Sequence, residues 1–271
     1  KKLGFGLAVK GGALGRFDDG AGAGQKRVRL ATFPVLPVLA VVAMEQIVDQ
    51  VAGHLGCARQ EVFVCSTGVI GVPLPKDKAR DGVAKVLDGA APAASWQEAA
   101  NTILTTDTFA KGATAAAIIG SETVHVVGIA KGSGMIAPDM ATMLAYLFTD
   151  AAVAPALLQE MLSRANGSSF NAITVDSDTS TSDTLLVFAT GAAGHAPLTS
   201  MDDPGAEALA AAIHAVCRDL AHQIVRDGEG ATKFVEISVE GATNDASVKR
   251  IALSIADRKS TRLNSSHGYQ S

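Results

Sequence analysis

Gly128-Ile-Ala-Lys-Gly-Ser-Gly-Met-Ile-Ala-Pro-Asp-Met-Ala-Thr-Met-Leu144 is a glycine-rich loop carrying Lys131 that runs into Ala141-Thr142 and then an apolar segment. From Met143 to Phe148 the apolar run is unbroken, the pattern of a strand buried on both faces. Gly132, Gly134 and Pro138 suit a backbone held in unusual φ/ψ, and such strain can aim a side-chain hydroxyl at its own preceding carbonyl. Ala141-Thr142 therefore reads as a self-cleaving bond. Scission would leave Thr142 as a new N-terminus, whose α-amine, with an ordinary pKa of roughly 7.7 to 8.0, could serve as general base for its own hydroxyl. On residue types alone, the commoner reading is a Gly-rich turn entering a strand with an ordinary surface threonine.

Working outward, Thr114 to Ile119 and Thr123 to Ile129 predict a hairpin around Gly120-Ser-Glu122, whose second strand leads into the Lys131 loop. His125 alternates with apolar neighbours there and reads as a structural strand histidine. Met44, Ile47, Val51 and Leu55 fall three or four apart, as on the buried stripe of a helix ending near Gly56. Val62 to Cys65 is a short strand, Asp77 to Leu87 a helix stopped by Gly89, and Trp96 to Leu104 a further helix. Ala152 to Arg164 reads as a helix and Leu185 to Thr190 as a strand. Asp202-Asp-Pro204 marks the start of a helix reaching Val225, with a strand expected at Phe234 to Val239. Alternating helices and strands point to an α/β fold with helices layered on largely buried mixed sheets.

With 271 residues, 48% hydrophobic and 18% charged, the chain can bury a sizeable core. A net charge of −4, a pI near 5.9 and 4% aromatic residues leave no basic footprint or stacking surface for nucleic acid, so small-molecule partners are expected. Cys57, Cys65 and Cys217 have no paired or zinc-like spacing, which favours reduced thiols and a cytoplasmic location. The apolar run Leu30 to Met44 is broken by Pro34 and Pro37 and is shorter than the ~20 residues a membrane helix needs. Residues 1 to 42 otherwise read as atypical, with a flexible Gly20-Ala-Gly-Ala-Gly24 repeat, and an out-of-frame N-terminus is one account of them.

Several segments carry candidate chemistry beside a bland alternative. Ser66-Thr67-Gly68 follows a strand, so a hydroxyl and a glycine N–H could face a developing oxyanion, or merely cap the strand. Thr105-Thr-Asp-Thr108 could bind polar substrate atoms or make a turn. Asp176, Asp178 and Asp183 look like a calcium loop but lack its spacing, and no metal is expected. Glu229 stands alone between two glycines; such a carboxylate is usually solvated, yet a substrate α-amino group would need one.

These motifs together resemble the ornithine acetyltransferase family, also called glutamate N-acetyltransferase, over about Ala43 to Ala256. The likeness is carried by the Ala-Thr-Met-Leu sequence at Ala141, Cys65-Ser-Thr-Gly-Val-Ile-Gly71, Thr105-Thr-Asp-Thr108, Phe170-Asn-Ala-Ile-Thr-Val-Asp-Ser-Asp-Thr-Ser-Thr-Ser-Asp-Thr184 and Asp227-Gly-Glu-Gly-Ala-Thr-Lys233. Ser177 and Ser182 stand where the family usually has Gly and Asn. The resemblance implies self-cleavage between Ala141 and Thr142, giving an α segment (43 to 141) and a β segment (142 to 256) that associate as a heterotetramer. It implies Thr142 as nucleophile, Thr67 and Gly68 as the oxyanion pair, and Thr105, Lys131, Thr142 and Glu229 as substrate contacts.

By the same resemblance, acetyl passes from N-acetyl-ornithine through an acyl-threonine ester to glutamate, in arginine biosynthesis and with no cofactor. Some family members also take acetyl-CoA, and that donor stays open. The fold implied is the self-processing one shared with DmpA-like aminopeptidases, which makes hydrolysis the first alternative function. Asp257 to Ser271 reads like a translated sequencing adapter. The family continues beyond this point with residues that reach the substrate, so the second alternative is an inactive or merely ligand-binding fragment.

Overall fold

The computed structural model describes residues 4–9, 38–67, 75–89, 95–134, 136, 143–176 and 183–256, with only the backbone of 4–9 and 38–43. Ala141, Thr142 and Gly68 lie outside the described residues, as does the Gly20 to Gly24 repeat. Two compact units divide between Ser95 and Trp96, and the first begins at Leu3.

In the first unit, strand β1 (Gly4–Val9) pairs antiparallel with β2 (Val62–Thr67). Helices α1 (Val38–Leu55) and α2 (Lys76–Asp88) complete it. Ile47, Val51 and Ala52 of α1 bury against Val62 and Ala79, so the predicted three-and-four spacing marks the packed stripe. Gly89 closes α2 by donating its N–H to the Lys85 carbonyl, as its position predicts. Two features differ from the expectation. Strand β1 has no counterpart among the expected elements, and Ser66 and Thr67 extend the ladder, opposite Phe5 and Gly4, beyond the expected strand end at Cys65.

The second unit is built on a mixed sheet ordered β3-β4-β5-β6, with β3 (Lys111–Ile119), β4 (Glu122–Lys131), β5 (Leu144–Thr149) and β6 (Thr184–Ala189). The first three strands run antiparallel and β6 runs parallel to β5. The expected hairpin is present, with Gly120 at φ 62° in its turn. Leu144, Ala145, Tyr146 and Leu147 are all buried, which is why β5 shows no polar alternation.

Short helix α3 (Trp96–Thr102) opens this unit, and its Trp96 ring lies 4.8 Å from that of Phe148. Helices α4 (Pro155–Gly167) and α5 (Ala206–Arg226) pack on each other, and α5 lies along β3 and β4. Leu209, Ile213, Val216, Leu220 and Ile224 form the fully buried stripe of α5, each contributing about 1.5–3 kcal/mol on leaving water. A Cβ at Gly128 would stand 2.6 Å from Val216 and 2.8 Å from Leu220, so only glycine lets α5 approach β4 this closely.

Two boundaries are corrected here. The acids before Pro204 do not start α5: the helix begins beyond Gly205, which is left-handed at φ 92°, and the Asp203 carboxylate instead accepts the N–H groups of Thr199 and Ser200. Nor is Phe234 to Val239 a strand, because its backbone has no ladder partner among the described residues. Phe234 packs its ring on His222 and under Arg226 instead. A last helix, α6 (Asp245–Ala256), buries none of its residues. No helix among the described residues is long and apolar enough to cross a membrane.

Candidate active site

Lys131 is the last residue of β4, placed opposite Leu144 of β5, and not a loop residue as the glycines around it suggest. Strand position drives its side chain inward, where it is 1% exposed. Its Nζ finds the Thr105 hydroxyl at 3.3 Å. Burial pulls its pKa down from 10.5 to about 8; Asp107 and Asp183 oppose that fall, while nearby Lys111 adds to it. Among the described residues its only hydrogen-bond partner is a neutral hydroxyl, and no carboxylate pairs with it directly.

The segment after Lys131 turns sharply, with Gly132 at φ 150°, a conformation that side chains rarely adopt. Its N–H donates to Asp107 Oδ1 at 2.6 Å. Ser133 bonds the Thr106 hydroxyl at 2.7 Å and accepts the Glu229 N–H on its carbonyl at 2.6 Å. A Cβ on Gly134 would lie 2.7 Å from Glu229 Oε2, which places the Glu229 carboxylate flat against this turn. Thr105, Lys131 and Glu229 thus belong to one locality, joined through residues 132–134.

What joins them is a charged network that the sequence reading did not find. Lys111, at the start of β3, is completely buried and donates to Asp107 at 2.7 Å and to Asp227. Asp227, which closes the C-terminal end of α5, also accepts the Thr108 N–H at 3.0 Å and the Thr108 hydroxyl. Asp107 further accepts the Thr105 N–H at 3.2 Å. Burial alone would raise the Asp107 pKa, but Lys111 and the two N–H donors outweigh it and hold it below the usual range. The signal was available in the alternation of β3. Lys111 is in phase with buried Ala113, Ala117 and Ile119, and an inward lysine requires carboxylates.

On the other side of Lys131 lies Asp183, whose Oδ1 accepts the Met143 N–H at 2.8 Å. Burial lifts its pKa from 3.8 to about 7, against the pull of that N–H and of Lys131. In the first unit, Thr67 is buried at the end of β2, and its hydroxyl has no hydrogen-bond partner among the described residues. Such a group costs about 1–3 kcal/mol if nothing ever meets it. His125 is exposed on β4 beside Asp150, away from this locality.

A mixed α/β protein with a buried lysine site at one end of its sheet is the class that fold and site define. The chain belongs to the ArgJ family, whose pattern matches residues 40–264. It is 59% identical over 215 residues to the arginine biosynthesis bifunctional protein ArgJ of Zymomonas mobilis, covering 79% of this chain and 52% of that protein. The protein of the same name from Agrobacterium fabrum is 53% identical over 218 residues, with 79% and 52% covered. The chain therefore spans about half the length of the curated relatives it matches. Among solved structures, the arginine biosynthesis bifunctional protein ArgJ of Bacillus halodurans is 41% identical, with a TM-score of 0.40 over 41% of this chain and 52% of that one.

Proposed function

We propose that this chain carries the nucleophile-bearing part of a glutamate N-acetyltransferase of arginine biosynthesis, acting in the cytoplasm. Thr142 Oγ attacks the Ala141 carbonyl, the C–N bond breaks as the C–O bond forms, and the hydroxyl proton passes to the released nitrogen. That shift frees the Thr142 amine; water then hydrolyses the ester, releasing the Ala141 carboxylate and restoring the Thr142 hydroxyl. In turnover, Thr142 takes acetyl from N-acetyl-ornithine, releasing ornithine, and glutamate collects it as N-acetylglutamate. Thr67 and Gly68 stabilise the oxyanion of both half-reactions. The two segments made by the cut stay associated, as a heterotetramer.

One observation carries this reading beyond family membership: a buried cation leads into one turn and an anchored carboxylate lies against it. Lys131, short of negative charge, suits the α-carboxylate of an amino acid, and Glu229, fixed against residues 133–134, suits its α-ammonium. Thr105 completes the carboxylate contact through its hydroxyl.

Intact-mass measurement of the purified chain tests the cut, which should yield a piece beginning Thr-Met-Leu-Ala. Thr142→Ala should stay in one piece, and Thr142→Ser should still cut, more slowly, since it keeps the hydroxyl but loses the methyl that restricts χ1. Incubation with acetyl-labelled N-acetyl-ornithine should then place the label on that piece, and glutamate should remove it. The Zymomonas mobilis relative serves as a control. Label released to water and never to glutamate would favour the hydrolase alternative, and acetyl-CoA in place of N-acetyl-ornithine tests the second donor. Direct transfer with no labelled enzyme would overturn the reading.

A further inference from the structure

The polar stretch from Phe170 to Thr184 has no part in the chemistry proposed above, although its carboxylates look like a calcium loop in the sequence. Two of those carboxylates instead accept backbone N–H groups from the segment that contains the Ala141-Thr142 bond. Upstream of that bond, the Ile136 N–H donates to Asp176 Oδ1 at 3.0 Å. The Ile136 carbonyl accepts the Val175 N–H at 2.8 Å and the Thr174 hydroxyl at 3.1 Å. Downstream, the Met143 N–H donates to Asp183 Oδ1 at 2.8 Å, and the Met143 carbonyl accepts the Thr184 N–H at 2.9 Å.

The same device thus occurs twice, each time between residues 40 apart in sequence. Both gripped residues are buried, Ile136 at 2% and Met143 at 7% exposure, so removing its carboxylate leaves each N–H without an acceptor until the segment opens to water. The Met143 nitrogen is bonded to the carbonyl carbon of Thr142. The downstream grip therefore acts on the very peptide that carries the threonine, and that peptide survives the cut.

We propose that Asp176 and Asp183 form a two-point brace, Asp176 holding the backbone at Ile136 before the scissile bond and Asp183 holding it at Met143 after. This rests on reading Ala141-Thr142 as the self-cleaved bond. Both aspartates are positioning residues, acting through backbone amides and touching no substrate. Their duties are unequal. The upstream arm matters until the bond is broken, whereas the downstream arm continues to fix Thr142 once the chain before it is severed.

The test uses the 271-residue chain with Asp176→Ala, Asp183→Ala and the corresponding asparagine variants, following self-cleavage by intact mass over time. Leaving a buried N–H without its acceptor should slow cutting on the order of tenfold or more for either alanine variant. Asparagine keeps the acceptor oxygen and should restore cutting to within about threefold. Amide exchange followed by mass spectrometry in a Thr142→Ala background, where nothing cuts, gives an independent readout. Asp176→Ala should deprotect peptides containing Ile136, and Asp183→Ala those containing Met143. Alanine variants that cut at the parental rate with parental protection would overturn the brace. If the parent chain never cuts, the self-cleavage reading fails and the exchange result alone decides: lost protection supports the brace, unchanged protection ends it. If an alanine variant does not fold, its asparagine counterpart decides, and loss of protection there would overturn the proposal.

Discussion

Lys111 and Lys131 stand at the base of one hairpin, Lys111 entering β3 and Lys131 leaving β4, and both are fully buried. Among the described residues, Lys111 meets two carboxylates, Asp107 and Asp227, whereas Lys131 meets one hydroxyl at 3.3 Å. Two lysines with the same exposure therefore have opposite electrostatic accounts. The first has its charge cancelled on the spot and ties β3, α5 and the 105–108 turn together. The second is left under-compensated, and burial brings its pKa to about 8. Under the proposed function, the α-carboxylate of an amino acid would supply the missing charge.

Replacing Lys111 with Met should produce the largest change, because it strands two carboxylates in the interior. Unfolding free energy in urea should fall by about 3–5 kcal/mol. If the loss were under about 1 kcal/mol, Lys111 would be no more structural than Lys131, and the contrast would collapse. Adding Asp227→Asn to Lys111→Met should recover about 1–3 kcal/mol by removing one unpaired charge, which a double-mutant cycle would read.

Lys131→Met inverts the pattern. Stability should change by less than about 1 kcal/mol or rise, since a poorly paired buried charge is removed. Binding of amino-acid ligands, measured by calorimetry, should weaken on the order of a hundredfold with the charge-assisted contact gone. Equal damage to stability and binding would place Lys131 in the same class as Lys111.

A further contrast is in pH dependence. Asp183 sits at about 7 against an ordinary 3.8, so between those values the native state keeps a proton the unfolded chain has released, and stability falls as pH rises. Lys131 sits at about 8 against 10.5, so across that upper window the unfolded chain holds the extra proton and stability rises with pH. Urea midpoints at about pH 5, about pH 7.5 and about pH 9.5 should therefore pass through a minimum. Asp183→Asn should remove the acid-side decline and Lys131→Met the alkaline rise.

The parts of this design that are local were legible in the sequence. The stripe of α1, the hairpin turn at Gly120 and the unbroken run of β5 each follow from short-range patterning, and the structure carries all three. The contacts of Thr105, Lys131 and Glu229 came from resemblance, and their common locality became visible only through Ser133 and Gly134. What stayed hidden depends on distance along the chain. Asp227 meets Thr108 across 119 residues, and no window of sequence contains both. The expected strand at Phe234 failed for a related reason: β propensity was present, but a strand also needs a neighbour to pair with.

Helix α5 touches the hairpin at both of its limits. Near Gly205 it abuts Ile119, where a Cβ would come within 3.0 Å, and at Asp227 it reaches Lys111, where β3 begins. Its 21 residues span roughly 31 Å, and the nine residues of β3 span roughly 30 Å. Helix and strand are thus matched gauges, one calibrated against the other. Deleting a single residue from the middle of α5 would swing Asp227 by about 100° and draw it back by about 1.5 Å, out of reach of Lys111. Point substitutions on the outer face of α5 leave that calibration untouched, so this helix should drift freely in composition while its length stays fixed.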